Sequence, residues 1–264
     1  MLFVVDVGNA HTVSGLYDGR RLLRSWRMQS HQDRTADELA LRYHGLLHML
    51  GLDFTAIQGF IVASVVPALE TSWLGFARTA LSALRRPPLA VHAGMRFDME
   101  IRVEQPEELG ADRIVNAVAA WEQIHAPLIV IDFGTAITFD CVGAGPAYLG
   151  GTIHPGIGIS LDALASRTAK LPRLDINAIP EQAIGTSTVK AIHSGMLYGF
   201  GGLVDRMVEV LGRQMVPEGP VATIATGGMA ALVKPYMRSV ERVDEELTLK
   251  GLALLFARNT GGRP

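Results

Sequence analysis

Two short stretches of the sequence end a run of apolar residues with the same acidic, glycine-containing turn. The first is FVVDVGNAHT, from Phe3 to Thr12, and the second is LIVIDFGTAITFD, from Leu128 to Asp140. In each, a glycine two residues after the aspartate would let a phosphate group approach the backbone, because no Cβ is in the way. Asparagine and threonine side chains supply uncharged donors, and the aspartate is suited to a cation that contacts the phosphate. Two such turns facing each other would bind a polyphosphate from both sides.

A simpler explanation is that Asp-x-Gly closes an ordinary turn, since both residues are common in turns. For a single copy, this explanation is the better one. Two copies in matching positions, each after a buried strand, favour ligand binding instead, because α/β sheets bind ligands at the carboxyl ends of their strands.

The composition indicates a folded chain that acts on small molecules. Of 264 residues, 48% are hydrophobic and 19% are charged, and the net charge of −2 gives no long-range attraction to nucleic acid. The apolar stretches are too short to span a bilayer, and no basic leader precedes Asp6. Cys141 is the only cysteine, which excludes an internal disulfide and suits a reducing, cytoplasmic environment. We therefore expect small molecules or other copies of the chain as partners, and neither nucleic acid nor membrane.

The elements that must position the two turns alternate between strands and helices in both halves of the chain. The first three strands are predicted to form a meander. Thr35 and Glu38 form a capping-box pattern for a helix that Gly51 ends. The inner face of this helix is predicted to carry Leu39, Tyr43, Leu46 and Leu50.

The pattern starts again in the second half of the chain. Further helices are predicted from Pro106 to about Ile124, Ser160 to about Leu171, Val189 to about Met215, and Leu247 to Arg258. We predict an α/β protein with two copies of a βββαβα-type unit, in domains 1–118 and 119–264.

An ordered set of motifs extends along the chain. These motifs are DVGNAHT from Asp6, LGADRIVNAVAA from Leu109, DFGTAITFD from Asp132, GGTIHPGIGISLDAL from Gly150, AKLP from Ala169 and IGTSTVKAIHSG from Ile184. The set resembles the type III pantothenate kinases, within the acetate and sugar kinase, Hsp70 and actin superfamily, and the resemblance runs from residue 3 to about 257. It implies two tandem ribonuclease-H-like (actin-like ATPase) domains with ATP in the cleft between them.

The resemblance also implies an activity, ATP-dependent phosphorylation of pantothenate to 4'-phosphopantothenate, the first step of coenzyme A biosynthesis. The implied cofactors are Mg-ATP and a monovalent cation (potassium or ammonium), and the implied assembly is a homodimer. By position, Asp112 is the catalytic base and Asp132 is the ligand of the monovalent cation. The implied ATP-binding residues are Asp6, Val7, Gly8, Asn9, Ala10, His11, Thr12, Val13, Thr135, Gly227 and Gly228. The implied substrate-binding residues are Val103, Gly110, Ala111, Asp112, Arg113 and Thr188.

The residue types suit these roles. A carboxylate within hydrogen-bond reach of the acceptor hydroxyl can take its proton, and the dipole of a helix N-terminus would help keep Asp112 ionised. The planar guanidinium of Arg113 is suited to pairing with the carboxylate of pantothenate.

Four positions depart from the family pattern. Ala10 and Ile137 stand at threonine positions of the two turns, Val103 at an aromatic position, and His193 at a glutamine position. Losing one hydrogen bond to a charged phosphate costs about 1.5–3 kcal/mol, so we expect weakened rather than abolished ATP binding. The alternatives are a degenerate nucleotide-binding paralogue that acts as a regulator, and a phosphatase acting on phosphate esters or polyphosphate. Retention of Asp112 favours the kinase over the regulator.

Overall fold

The computed structural model describes residues 1–176, 179–180 and 182–261, which form two compact units. Among the described residues, the first unit contains Met1–Met99, Glu104–Ala119 and residues 247–261. The second unit contains Glu100–Val103 and Ala120–Glu246. The predicted division into 1–118 and 119–264 differs from these units in two places: the contacts group the last helix with the first unit and Glu100–Val103 with the second.

Strands and helices alternate along the chain. The strands are β1 (Leu2–Val7), β2 (His11–Asp18), β3 (Arg21–Gln29), β4 (Gly59–Ser64), β5 (Leu89–Ala90), β6 (Glu100–Ile101), β7 (Leu128–Phe133), β8 (Ala136–Gly143), β9 (Ala147–Pro155), β10 (Ala222–Thr226) and β11 (Arg242–Val243). The helices are α1 (Ala36–His48), α2 (Pro67–Ala80), α3 (Ala111–Ile124), α4 (Ile157–Arg167), α5 (Thr188–Met215), α6 (Ala230–Val233) and α7 (Leu247–Thr260).

The sheet of the first unit has the strand order β3-β2-β1-β4-β5. Successive antiparallel pairs join β1, β2 and β3, which confirms the predicted meander. Strands β1 and β4 are parallel neighbours, with Val7 opposite Ser64. The turn that follows β1 therefore lies beside the carboxyl end of β4. Sheets of this kind bind ligands at the carboxyl ends of their strands.

Helices α1 and α2 cover one face of this sheet through a shared hydrophobic core. The predicted capping box of α1 is confirmed. Thr35 Oγ1 accepts from the Glu38 N–H at 3.3 Å, and the Glu38 carboxylate accepts from the Thr35 N–H at 2.8 Å. These two bonds satisfy donors that a helix start otherwise leaves unpaired.

The predicted inner face of α1 is partly wrong. Leu39 and Tyr43 are buried, but the next buried residue is Leu47, whereas Leu46 is half-buried and Leu50 is exposed. Leu50 is exposed because α1 ends at His48, so this residue lies beyond the helix, and in the last helical turn Leu47 takes the inward position in place of Leu46.

The last helix, α7, packs against β1, β2 and β4 of the first unit. Its close approach to α3 depends on Gly251, where a Cβ would lie 2.5 Å from the carbonyl oxygen of Val115. Nearby, Thr248 Oγ1 donates to Asn116 Oδ1 at 2.8 Å. These contacts explain why the chain from Leu247 onward belongs with the first unit.

The helix predicted from Pro106 begins later than expected. Pro106–Glu108 form a 3-10 turn, Leu109 has an extended backbone, and α3 starts at Ala111. The extended conformation of Leu109 interrupts the helical run, so Asp112 lies in the first turn of a separate helix.

The sheet of the second unit has the order β11-β10-β7-β8-β9-β6. Strands β9, β8, β7, β10 and β11 repeat the order and directions of β3, β2, β1, β4 and β5, and β6 adds a parallel edge strand beside β9. Helix α4 starts at Ile157, three residues before the predicted Ser160, because the chain passes directly from β9 into the helix at Gly156.

The two units confirm the predicted fold class, in which a five-stranded arrangement occurs twice. In the second unit the core lies between the sheet and α5, with Ile131, Phe139 and Leu197 among its buried members. Within the described residues, no helix is both long and apolar enough to cross a membrane.

Candidate active site

The first glycine turn joins β1 to β2 and presents an exposed tip. The Gly8 N–H donates to the carbonyl oxygen of His11 at 3.0 Å, and a Cβ at Gly8 would lie 3.0 Å from that oxygen. Asn9, Ala10 and His11 are exposed. The tip therefore offers backbone groups and the Asn9 amide to solvent, as a phosphate-binding turn requires.

Two members of the predicted ATP-binding run point into the first unit instead. Val7 is buried in the core, and Thr12 is only 4% exposed. Thr12 Oγ1 lies 2.9 Å from Ser30 Oγ, and Ser30 Oγ donates to the carbonyl oxygen of Gly8 at 2.7 Å. The Thr12 hydroxyl thus belongs to the support of the turn.

Sequence reasoning missed Ser30. It is 22 positions from Gly8, and only the pairing of β2 with β3 brings it beneath the turn. The available signal was its place directly after β3, opposite Ala10 in the predicted meander.

A basic side chain lies at the edge of the first turn. The Arg27 guanidinium lies 3.2 Å from His11 Nδ1, and because a guanidinium can only donate, Nδ1 accepts this hydrogen bond. Burial lowers the pKa of His11, and the positive charge of Arg27 lowers it further. A neutral His11 ring beside a cationic Arg27 gives this edge of the turn a positive charge that suits an anionic ligand.

The second glycine turn joins β7 to β8 and is one residue shorter. Asp132 pairs with Thr138, six positions on, whereas Asp6 pairs with Val13, seven positions on. The Gly134 N–H donates to the carbonyl oxygen of Ala136 at 3.1 Å. Both turns are thus closed by a hydrogen bond from their glycine, with different loop lengths.

The side chains of the second turn differ in what they can contact. Thr135 is exposed at the tip, consistent with a ligand contact. Ile137, at a threonine position of the family, is 1% exposed and packs in the core with Phe139. The departure at Ile137 therefore changes the core and not the surface of the turn.

Glycines outside the second turn pack tightly against it. The Gly156 N–H donates to the carbonyl oxygen of Thr135 at 3.1 Å, and a Cβ at Gly156 would collide with that oxygen. Gly227 has a φ of +91°, and a Cβ there would collide with the carboxylate of Asp132 and the backbone of Phe133. Any side chain at these two glycines would displace the turn.

The parallel pairing of β7 with β10 brings Asp132 and Gly227 together at the carboxyl ends of neighbouring strands. Asp132 is half-buried, and Gly228, the next residue after Gly227, is exposed. Three predicted site residues of the second unit, Asp132, Thr135 and Gly227, thus lie around the carboxyl ends of β7 and β10.

In the first unit, the segment from Gly110 to Arg113 forms the start of α3. The Arg113 N–H donates to Asp112 Oδ1 at 2.8 Å, and a Cβ at Gly110 would lie 2.6 Å from the same oxygen. Gly110 therefore leaves the space that the Asp112 carboxylate occupies. Ala111, the first residue of α3, is half-buried.

The environment of Asp112 raises its pKa. Burial is the largest cause, and it outweighs the opposing effects of the Arg113 N–H and of the Arg113 charge. The expectation that the helix N-terminus would help keep Asp112 ionised describes only the smaller, opposing effect. A carboxylate with a raised pKa binds a proton more readily, which suits a general base.

The predicted substrate residues Val103 and Thr188 lie in the second unit, as does His193. Val103 follows β6, and its Cγ1 would lie 3.8 Å from a Cβ at Gly150. Thr188 is exposed at the first position of α5. His193, further along α5, has a buried Nε2 without a hydrogen-bond partner among the described residues.

The described residues suit a cation that is shared with a ligand better than a closed metal centre. No group of three or more His, Cys, Asp or Glu side chains among them is arranged to hold a metal ion. A single half-buried carboxylate such as Asp132 can supply one oxygen ligand to a cation whose other ligands come from phosphate and water.

Comparison with known proteins adds a family to this geometry. A family model described as type III pantothenate kinase matches residues 2–210. The chain is 47% identical to a type III pantothenate kinase of Desulfotalea psychrophila, over 97% of both chains. It is 44% identical to one of Moorella thermoacetica, over 98% of this chain and 100% of that one.

Solved structures agree on the fold. Component A of the (R)-2-hydroxyglutaryl-CoA dehydratase of Acidaminococcus fermentans aligns with a TM-score of 0.53, covering 98% of this chain and 96% of that one. The sequence identity is 14%, so this likeness concerns only the architecture, a two-domain actin-like ATPase fold.

Proposed function

The chain belongs to the type III pantothenate kinase family, and from this premise we propose which residues carry out its reaction. It is a kinase that phosphorylates pantothenate with ATP, the first step of coenzyme A biosynthesis. The observation that carries the residue assignment is the half-buried Asp112 carboxylate, held by the first turn of α3 in space that Gly110 leaves open.

Asp112 is the proposed general base. The primary hydroxyl of pantothenate loses its proton to the Asp112 carboxylate as its oxygen attacks the γ-phosphorus of ATP, and ADP leaves with the electrons of the broken P–O bond. The raised pKa of Asp112 supports this role, because a more basic carboxylate takes the proton more readily. The rest of catalysis is alignment and charge neutralisation.

The two glycine turns and the β10 turn are the proposed ATP site. The residues from Asp6 to Val13 contribute the first turn, and its exposed tip supports phosphate binding by backbone N–H groups. Thr135 contributes the second turn, and Gly227 with Gly228 lets the nucleotide approach the backbone. The cationic Arg27 beside His11 adds favourable charge for the phosphates.

Arg113, Val103 and Thr188 are the proposed contacts of pantothenate, together with Gly110 and Ala111. The guanidinium of Arg113 is suited to bidentate pairing with the substrate carboxylate. Val103 is smaller than the aromatic residue of the family, so we expect a roomier pocket for pantothenate at this position.

Asp132 is the proposed ligand of a monovalent cation, potassium or ammonium, and Mg²⁺ enters with ATP. Such cations neutralise phosphate charge and orient the γ-phosphoryl group. The position of Asp132 at the carboxyl end of β7 supports this assignment.

We further propose that the chain is a cytoplasmic homodimer. Exposed apolar side chains of the second unit support dimer formation, with Ile153 63%, Tyr198 48% and Val189 39% exposed, because apolar side chains on the surface can be covered by a second copy of the chain. Light scattering of the purified chain should give twice the monomer mass, and a monomer at micromolar concentration would remove this part of the proposal.

The decisive experiment compares the wild-type chain with Asp112→Asn. With ATP, magnesium and potassium, the wild type should form phosphopantothenate, whereas Asp112→Asn should lose about 10²–10⁴-fold in kcat and still bind ATP. Asp37→Asn, an exposed carboxylate in the first turn of α1, is the matched control and should keep full activity. Unchanged turnover in Asp112→Asn would show that Asp112 is not the general base. In a separate assay of the wild type, leaving out potassium should raise the KM for ATP if Asp132 binds the potassium ion.

The pKa of Asp112 gives this variant a second signature. Since the folded-state pKa lies above the ordinary value of 3.8, the folded protein loses stability as the pH rises from that value through the folded pKa. Asparagine has no charge to bury, so Asp112→Asn should unfold at an equal or higher temperature than the wild type at pH 7. The difference should shrink toward pH 4, and a large loss of stability at pH 7 would contradict it.

The regulator interpretation receives no support from the comparisons. A nucleotide-binding regulator would bind ATP and yield no phosphopantothenate, so the same assay separates the two functions.

A further inference from the structure

Ser30 makes three hydrogen bonds to the first glycine turn. Its hydroxyl donates to the carbonyl oxygen of Gly8 at 2.7 Å and lies 2.9 Å from Thr12 Oγ1, and its N–H donates to the carbonyl oxygen of Ala10 at 2.9 Å. One residue from the end of β3 thus contacts the turn at its start, middle and end.

The direction of these bonds follows from the number of protons. A serine hydroxyl has a single proton, and in Ser30 it is donated to Gly8. The Thr12 hydroxyl must therefore donate to Ser30, so that the chain of bonds runs from Thr12 through Ser30 to the carbonyl of Gly8. Such chains polarise each other and favour one arrangement.

The Ser30 bonds also determine where two backbone N–H groups of the turn point. A peptide unit is planar and trans, so its C=O and N–H point in opposite directions. Ser30 holds the carbonyls of Gly8 and Ala10 toward itself. The N–H groups in the same peptide units, those of Asn9 and His11, are therefore directed away from Ser30.

The second turn has a counterpart of the backbone hydrogen bond that Ser30 makes, but no counterpart of its hydroxyl bonds. There, the Gly156 N–H donates to the Thr135 carbonyl, as Ser30 does to Ala10, but glycine has no side chain to add further bonds. The first turn is one residue longer, and a longer turn has more conformations that must be restricted.

We propose that Ser30 is a positioning residue for ATP, which preorganises the N–H groups of Asn9 and His11 for the phosphates through its bonds to Gly8 and Ala10. This inference rests on the proposed ATP-binding role of the first turn. Ser30 itself does not contact ATP, since its hydroxyl is used by Gly8 and Thr12. A turn fixed before binding loses less conformational entropy when the ligand arrives.

The test measures Mg-ATP binding by calorimetry together with the steady-state kinetics of the full chain. Ser30→Ala keeps the backbone bond to Ala10 and removes the hydroxyl, so Kd and KM for ATP should rise about 5- to 20-fold. The KM for pantothenate should stay within about 2-fold. Ser30→Thr restores the hydroxyl and should recover most of the affinity, because a small cavity of about 10 Å³ lined by Thr12, Ser30 and Tyr43 can take part of the added methyl group.

Ser14→Ala is the matched control for lost stability. Ser14 is buried on β2 and its hydroxyl lies 2.8 Å from that of Tyr43, away from the turn. This variant should lower the melting temperature as much as Ser30→Ala does, and it should leave the Kd for ATP unchanged.

The outcomes separate the positioning role from the enzymatic one. Equal ATP affinity in the wild type and Ser30→Ala, an equal loss in Ser14→Ala, or no recovery in Ser30→Thr would each overturn the positioning role. A wild type that binds ATP and yields no phosphopantothenate would overturn the kinase alone, and the binding comparison would still decide the role of Ser30. A wild type that binds no ATP would overturn both.

Discussion

The two glycine turns share a sequence pattern and differ in what supports them. The turn between β1 and β2 is held by hydroxyl groups, those of Ser30 and Thr12. The turn between β7 and β8 is held by close backbone contacts that only glycine permits, at Gly156 and Gly227, the latter against Asp132.

A turn motif that occurs twice in the chain therefore need not be supported in the same way both times. A hydroxyl contributes one or two hydrogen bonds, each with a net value of about 0.5–1.5 kcal/mol. The loss of one hydroxyl should therefore weaken ATP binding without abolishing it. A glycine in close contact leaves no space for any side chain, so its substitution should damage the fold itself. The two turns should consequently respond to different kinds of substitution.

The largest effect on stability is expected at Gly227. Alanine there combines the strain of a positive φ with a collision against Asp132 and Phe133, and together these should cost about 3–5 kcal/mol. Thermal unfolding of Gly227→Ala should show a large fall in melting temperature, and ATP binding should be lost.

Gly134→Ala tests whether the glycine of the second turn itself shares this sensitivity. A Cβ at Gly134 would lie 3.4 Å from the Ala136 carbonyl oxygen, an ordinary contact, so this variant should unfold within a few degrees of the wild type. Equal stability of the two variants would mean that Gly227 does not support the turn, and the comparison between the turns would fail.

Local sequence signals predict individual helices and strands better than they predict which elements these pack against. The capping box of Thr35 and Glu38 was predictable because both bonds lie within four residues, and the meander followed from alternating residues and one turn. The place of α7 was not predictable, because an apolar helix can cover either sheet, and the contact at Gly251 that decides it involves a residue more than a hundred positions away.

The candidate site divides in the same way. The sequence singles out Asp112 and Asp132 because they stand in motifs with a family resemblance, and their roles stay predictions. It does not single out Ser30, because the bonds of Ser30 to the first turn depend on strand pairing and on no motif. From the sequence, isoleucine at position 137 is expected to weaken ATP binding, but its side chain is only 1% exposed, which shows that it belongs to the core.

Ile137→Thr tests the second turn at this position. It replaces a buried apolar side chain in the core beside Phe139 with a hydroxyl, which should cost about 2–3 kcal/mol of stability. Because the side chain faces the core, the Kd for ATP should not improve. Tighter ATP binding with unchanged melting temperature would show that residue 137 faces the ligand.

Ala10→Thr makes the same restoration in the first turn, and the expected effect is the smallest. Ala10 is exposed at the tip and is not among the residues with a positive φ, so threonine fits without strain and stability should not change. Its hydroxyl can donate to a phosphate oxygen in competition with water, so the Kd for ATP should fall about 2- to 5-fold. Combined with Ser30→Ala, the gain should shrink, because a threonine on a loosened turn is no longer held toward the phosphates; full additivity of the two changes would mean that Ser30 does not organise this tip.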